Sequence, residues 1–373
     1  TLKIREISFY SQFKCLAGEC PKNCCRGWMI PLTGKDIERY KREKGLKGLL
    51  LRFAMSKDKK RGIVRFNKSC LKCVFHNKEG LCRLQLSKGH EYIPEVCRNY
   101  PRFLRNYGLF EERYIDLSCI EGAKLFLDNM RDLHFREYEA CEESTLSVTN
   151  DDREYLKDLF YSREKVIGLI ESSADYHELS QNMDRIFSYA EAAEKAFVKG
   201  ETDFLRKNDP VDFDVLNIIC FFPFNMSCME RIMHEELFDE TVKNRDPFLY
   251  KLGRLYEDEF KKTRASDIKW DRAAGDFIKK HGELFLKYKY YYIYYLYEYY
   301  LRSYEDYSFI RNAFMGMIHL NCIFMFDLLC EKQIGALTSE LQADIISSYN
   351  KKAFFSNNLS KKMYDDIFEL IYQ

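Results

Sequence analysis

The sequence predicts a mainly α protein: a small, irregular α+β, cysteine-rich head over residues 1–140 and an all-α helical domain over residues 150–373. Three observations carry this expectation. Nine of the fourteen cysteines fall in the first 119 residues. Short β-prone runs and turns are confined to the same region, whereas apolar residues beyond it recur with helical period. Between the two, CEESTLSVTNDD (141–152) has the Ser, Thr, Asn and Asp content of a linker.

Within the head, TGKDIERYKREKG reads as a helix with Thr33 as N-cap and Gly45 as its stop signal. MSKDKKRG reads as a charged loop, and GIVRF as a short strand after it. RFLRNYGLFEERYIDL is a hairpin, two β-prone arms about a Tyr-Gly turn. SCIEGAKLFLDNM opens a helix through a Ser118–Glu121 capping box, with Leu125 and Phe126 behind it. Beyond the linker, helices are expected over 153–171, 176–199, 212–243, 247–264, 270–304, 308–332, 338–350 and 360–372, the last capped by Ser360. With neither βαβ alternation nor an internal repeat, the body reads as a helical bundle or irregular helical array. No glycine-rich loop follows a strand and no Walker A run occurs, so neither nucleotide-binding motif has support.

Composition narrows the partners. At 46% hydrophobic over 373 residues the chain can bury a substantial core. A net charge of +1 gives no basic field for nucleic acid. The first twelve residues lack the apolar core of a signal peptide. The stretch YKYYYIYYLYEYYL (288–301) carries nine tyrosines, a lysine and a glutamate, unlike a bilayer span. The expectation is a cytoplasmic enzyme with no nucleic acid and no membrane. That compartment keeps thiols reduced, so dense cysteine reads there as metal or redox chemistry. Cys141, Cys220, Cys228, Cys322 and Cys330, scattered in helical sequence, are expected to be small buried hydrophobes.

The head cysteines read C15-x4-C20-x3-C24-C25, then C70-x2-C73-x8-C82-x14-C97, then C119. A disulfide framework suits them poorly: nine is odd, and adjacent Cys24 and Cys25 rarely pair with each other. Zinc prefers paired C-x2-C knuckles, and only Cys70 and Cys73 have that spacing. Iron–sulfur clusters accept irregular spacing and lead the three readings. The radical-SAM spacing C-x3-C-x2-C is absent, since Gly27 stands where its third cysteine belongs. Cys119, at a helix start, has a dipole that favours thiolate. Arg98 and Arg102 are placed to offset the negative charge of a thiolate-bound cluster, or else are ordinary surface charge. His76, close after Cys73, is an alternative ligand. Tyr288, Tyr291, Tyr292 and Tyr295 share one helical face and are candidates for a cage around a cation, or for plain bundle packing.

Four motifs in order, F-x-C…C-x3-CC-x-GW-x-I (Phe13–Ile30), C-x-F…GLC-x-L (Cys73–Leu84), VCRNYPR (96–102) and LSCIEGAKL (117–125), resemble the flagellin lysine-N-methylase family, FliB-type. Part of the pattern is also similar to zinc- or iron-chelating cysteine-rich domains. The resemblance covers about the first 130 residues. Val74 and Ile120 stand where the family usually has proline, and Cys70 is extra. The resemblance implies transfer of methyl groups from S-adenosylmethionine (SAM) to lysines of flagellin or another lysine-rich surface protein. It implies one or two 4Fe-4S clusters, with zinc as the alternative metal. The implied ligands are Cys15, Cys20, Cys24, Cys25, Cys73, Cys82, Cys97 and Cys119. Trp28 and Tyr100, the motif aromatics, join Arg98 and Arg102 as the residues expected around the cofactors. The rival expectation is a non-enzymatic metal-chelating or redox-sensing scaffold whose helical body binds a partner. The adjacency of Cys24 and Cys25 hints at two metal centres.

Overall fold

Strand β1 (Leu2–Ile7) organises the larger sheet, because it alternates apolar and polar residues and has a partner on either side. The computed structural model describes residues 2–22, 24–25, 30–57, 64–66, 73–140, 148–215, 222–261, 266–354 and 357–372. β2 (Ile30–Pro31), β3 (Met55–Lys57) and β4 (Val64–Phe66) form a three-stranded sheet in the order β2-β4-β3. Met55–Lys57, expected in a loop, therefore pairs as a strand. β5 (Arg102–Asn106) and β6 (Phe110–Ile115) are the expected hairpin, and with β7 (Phe135–Ala140) they complete the order β5-β6-β1-β7. β1 runs parallel to β6, with Lys3 opposite Phe110, and antiparallel to β7. A pairing across more than a hundred residues leaves no local signature, which is why the hairpin alone was expected.

The head helices are α1 (Gly34–Arg42), α2 (Gly45–Ala54), α3 (Arg83–Lys88), α4 (Glu95–Asn99) and α5 (Ile120–Asn129). Thr33 caps α1 as expected: its hydroxyl accepts from the Asp36 amide, and the Asp36 carboxylate returns the bond to Thr33. The same carboxylate accepts the Glu95 amide at 3.2 Å, tying α1 to α4. The capping box at Ser118 does not form. The N-cap of α5 is Cys119, and the Ser118 hydroxyl instead meets Tyr100 Oη at 3.0 Å.

The rest is helical, as expected: α6 (Asn150–Glu171), α7 (Tyr176–Val198), α8 (Phe204–Lys207), α9 (Met226–Ile232), α10 (Glu240–Arg245), α11 (Pro247–Tyr256), α12 (Ser266–Lys280), α13 (Phe285–Tyr299), α14 (Ser303–Asp306), α15 (Phe309–Ile334), α16 (Ser339–Phe354) and α17 (Asn357–Tyr372). The chain is mainly α with a small α+β part. The single helix expected over 212–243 is broken instead. Pro223 interrupts it, and Asn225 caps a new start by accepting the Cys228 amide. The helix expected over 270–304 divides at His281 and Gly282. Ser360 lies inside α17 and donates to the Ala353 carbonyl rather than capping.

α15 has the length and composition of a membrane span, with a mean hydropathy of 1.7, but its apolar stretch is wholly buried inside the protein. Around it α7, α13 and α16 pack into one large core, joined from the sheet side by Ile7, Phe110, Tyr114 and Phe126. Cys228, Cys322 and Cys330 are buried there, as small hydrophobes should be; Cys141 and Cys220 lie outside the described residues. A second, much smaller core gathers Ile30, Leu32, Tyr40, Leu51, Ala54, Leu84 and Ile93 with Cys73.

Candidate metal centre

Among the described residues, Cys20, Cys82, Cys97 and Cys119 sit in or cap a short helix. Cys15 and Cys20 flank a single 3-10 turn, Ala17–Glu19. The Ala17 amide donates to Cys15 Sγ at 3.4 Å, and Cys20 Sγ donates to the Lys22 carbonyl at 3.2 Å. The Cys73 amide donates to the Cys25 carbonyl at 2.9 Å, joining the second motif to the first. A bridge between His76 and Cys82, with the Arg83 amide on the Phe75 carbonyl at 2.7 Å, folds the chain back and returns Cys82 towards Cys73. Cys97 lies in α4, and Cys119 opens α5.

Packing sorts six of the eight cysteines, and electrostatics links the two groups through Cys24. By packing, Cys20 and Cys119 lie against the large core, whereas Cys25, Cys73, Cys82 and Cys97 belong to the small one. By electrostatics, Cys20 is opposed by Cys24 and Cys15, and Cys119 by Cys20 and Cys24. Cys25 is opposed by Cys73 and Cys97, and Cys97 by Cys73, Cys24 and Cys82. Cys25 packs on the small core, whereas Cys24 acts on cysteines of both groups, Cys20 and Cys119 in one and Cys25, Cys73 and Cys97 in the other.

Burial and neighbouring groups move several of these thiols from their ordinary acidity. Burial pushes Cys73 up to about 11 and Cys119 up to about 12, and raises Cys97 well above the usual thiol range. For Cys119 this outweighs the Gly122 and Glu121 amides that favour its anion, so the helix start does not acidify it as expected. Cys24 is the exception, lowered to about 7 by the hydrogen bond from Cys25 and by nearby Lys351, with burial opposing. Among the described residues, no three His, Cys, Asp or Glu side chains are gathered as a ready ion site. The donor set nonetheless suits a metal–sulfur group. Enclosed thiols whose charges repel one another become stable thiolates only when a cation joins them.

The other expected site residues have varied surroundings. Tyr100 is flanked by Asp116, Cys119 and Cys24. Arg102 donates to the Phe13 carbonyl at 2.9 Å and lies 5.0 Å over the Phe13 ring, holding the strand exit that leads to Cys15. Arg98 donates to the Glu91 carbonyl at 2.6 Å. Trp28 and Cys70 lie outside the described residues. The proposed tyrosine face does not act as one: Tyr288 donates to Asp327 at 2.7 Å and Tyr292 to the Ala313 carbonyl at 3.2 Å, both in the core. Tyr291 and Tyr295 instead join Tyr294 and Tyr299 around a small recess beside Cys119, together with Asp116 and Glu298. Neither carboxylate stood out in the sequence, for an acid's neighbours are set by tertiary packing. A larger groove of about 550 Å³ lies beside Cys73 and Cys82, lined mainly by apolar residues such as Leu50, Phe53, Val74 and Phe75, together with Lys47, Lys88 and Tyr92.

Comparison with known proteins is consistent with the motif pattern and limited in extent. No family model matches, and no solved structure matches. The chain is similar to the flagellar biosynthetic protein FliU of Salmonella muenchen, 22% identical over 133 residues, which are 34% of this chain and 79% of that protein. It is similar to the lysine-N-methylases of Salmonella typhimurium (22% identical) and Salmonella choleraesuis (21% identical), again over 34% of this chain. The match spans a third of the length of these two methylases, 33% in each case.

Proposed function

We propose that the protein is a cytoplasmic SAM-dependent lysine N-methyltransferase acting on a flagellar protein, flagellin foremost, and that its head cysteines hold iron–sulfur clusters. The observation that carries this reading is that head cysteines from four separated motifs lie within electrostatic reach of one another about Cys24 and Cys25. The likeness to two lysine-N-methylases and to a flagellar biosynthetic protein supports the choice of reaction and substrate. Cys15, Cys20, Cys24 and Cys119 would hold one group, and Cys25, Cys73, Cys82 and Cys97 the other. With every iron held by a thiolate, such a cluster would brace the head and carry a redox-active centre rather than an open iron for SAM. The chain's own part is to position and desolvate the amine, which needs only its neutral form to attack a sulfonium methyl.

The test is direct. Protein purified without oxygen should be brown, absorb near about 400 nm and contain iron and sulfide. It should also move label from SAM to flagellin lysines. Cys24→Ser or Cys97→Ser should remove colour and transfer together. Colourless protein with stoichiometric zinc would overturn the iron–sulfur assignment, and coloured protein that labels no lysine would leave the scaffold reading.

A further inference from the structure

Helix α2 is apolar on two sides. Gly48, Leu51 and Ala54 are buried, the last two in the small core, while Leu46, Leu49, Leu50 and Phe53 stay 54–73% exposed. These four occupy the i, i+3, i+4 and i+7 positions of one helix side, the row that packs against another helix. Leu50 and Phe53 line the groove of about 550 Å³ between α2 and α3, with Leu51, Ala54 and Leu84 of the small core and with Val74 and Phe75. The helix is held in place at its near end. Arg52 donates to the Glu43 carbonyl at 3.1 Å, and Gly48 leaves room for the same carbonyl, which a Cβ there would strike. The groove is therefore built into the head, and its apolar row has no partner in it.

The rim of the groove is cationic. Lys47 on α2 and Arg83 and Lys88 on α3 line it, all three exposed, and none of its lining residues among those described is acidic. From Lys41 to Arg52 the chain carries five exposed cations and one acid, in a protein whose net charge is only +1. That acid, Glu43, pairs with Lys88 at 3.1 Å. A fitting occupant brings apolar surface and negative charge together. SAM brings a sulfonium and an ammonium against one carboxylate, and a lysine side chain brings only positive charge, so this rim repels both. A bilayer surface does not follow a concave groove. A helix does, because its own i, i+3, i+4 and i+7 ridge fits the row that α2 presents.

From this geometry we infer that the groove between α2 and α3 docks an acidic amphipathic helix of a partner protein. Apolar side chains of that helix fill the space lined by Leu50, Phe53, Val74 and Phe75, and the carboxylates flanking them meet Lys47 and Arg83. Val74 directly follows Cys73, and Arg83 directly follows Cys82, so a docked partner touches the residues next to two of the head cysteines. The inference concerns binding alone and holds whether or not the chain transfers a methyl group.

Fluorescence anisotropy on the full, anaerobically purified chain tests this with a labelled helical peptide that carries leucine at i, i+3, i+4 and i+7 and glutamate beside them. Wild type should bind it saturably and lose affinity as salt rises. A peptide with the same leucines and lysine in place of glutamate should bind at least about tenfold more weakly. Phe53→Asp and, separately, Lys47→Glu should each weaken binding of the acidic peptide at least about tenfold. Both side chains are exposed, so the melting temperature should not move, and either variant serves should the other not fold. No binding by wild type, equal binding of the two peptides, or binding indifferent to both variants overturns the inference. Sedimentation with phosphatidylglycerol vesicles that Phe53→Asp abolishes, without peptide binding, overturns it in favour of a membrane surface. A peptide-free dimer that Phe53→Asp separates assigns the groove to a second copy of the chain and likewise overturns it.

Discussion

Glu112 and Asp116 lie four residues apart on β6 and its exit, and the protein treats their charges in opposite ways. Glu112 is 1% exposed and surrounded by cations: Arg5 reaches it at 2.7 Å, and Arg163 grips both oxygens at 2.6 and 2.8 Å. Both guanidiniums also lie over the Phe160 ring, at 4.2 and 5.2 Å. Deeper in the core, Asp327 is likewise paired with Lys287 and accepts from Tyr288. Asp116 receives the Ser118 amide at 2.7 Å and feels Lys351 only at longer range, and Glu298 likewise feels Arg302 and Arg105 at longer range and a Tyr299 hydrogen bond. A fold that pairs Glu112 and Asp327 closely leaves these two with cations only at longer range. Unmatched charge is a mark of function when matched charge is the rule nearby.

The contrast can be broken at its strongest point first. Glu112→Ala should cost about 3–5 kcal/mol, because Arg163 would then be buried without its partner. Urea unfolding checks this, and a loss below about 1 kcal/mol would mean the matched side of the comparison carries no weight. The unmatched side should respond with the reverse sign. Glu298 titrates at about 7 when folded and near 4.5 when unfolded, so the native state binds the extra proton. Its cost is absent below the unfolded value, grows as pH rises between the two, and is complete above about 7. Glu298→Gln should therefore melt higher than wild type at pH 8, by up to about 3 kcal/mol before its remaining solvent contact is discounted. Calorimetry should show the two melting alike near pH 4.5. Asp116→Asn should shift stability in the same direction but less, since the Ser118 amide already supports that carboxylate. The smallest effect belongs to the head: Thr33→Ala should cost about 1 kcal/mol by removing the cap of α1.

Local signals in the chain were legible where chemistry and neighbour are close in sequence. Thr33 and Asp36 announce a helix start because the bonded groups are three residues apart. The β5–β6 hairpin is readable because its turn lies between its arms. Ser118 and Ser360 misled for the converse reason. Each has a capping residue's chemistry, yet each hydroxyl found a partner that the helix pattern does not include, Tyr100 in one case and the Ala353 carbonyl in the other. The tyrosine run shows the same limit. Helical spacing puts Tyr288, Tyr291, Tyr292 and Tyr295 on one side, but which rings meet a cavity depends on where β6 and α16 lie.

By itself, then, the sequence determined a cysteine-rich head and a helical body, because cysteine content, caps and apolar period are local properties. Only the tertiary structure decided that Cys20 and Cys119 pack on the large core and Cys25, Cys73, Cys82 and Cys97 on the small one. It alone brought Asp116 and Glu298, 182 positions apart in the chain, to one recess beside Cys119. The physical reason is the same for both. A charge or a thiol takes its acidity from whatever surrounds it, and in a folded chain those surroundings come from distant segments packed together.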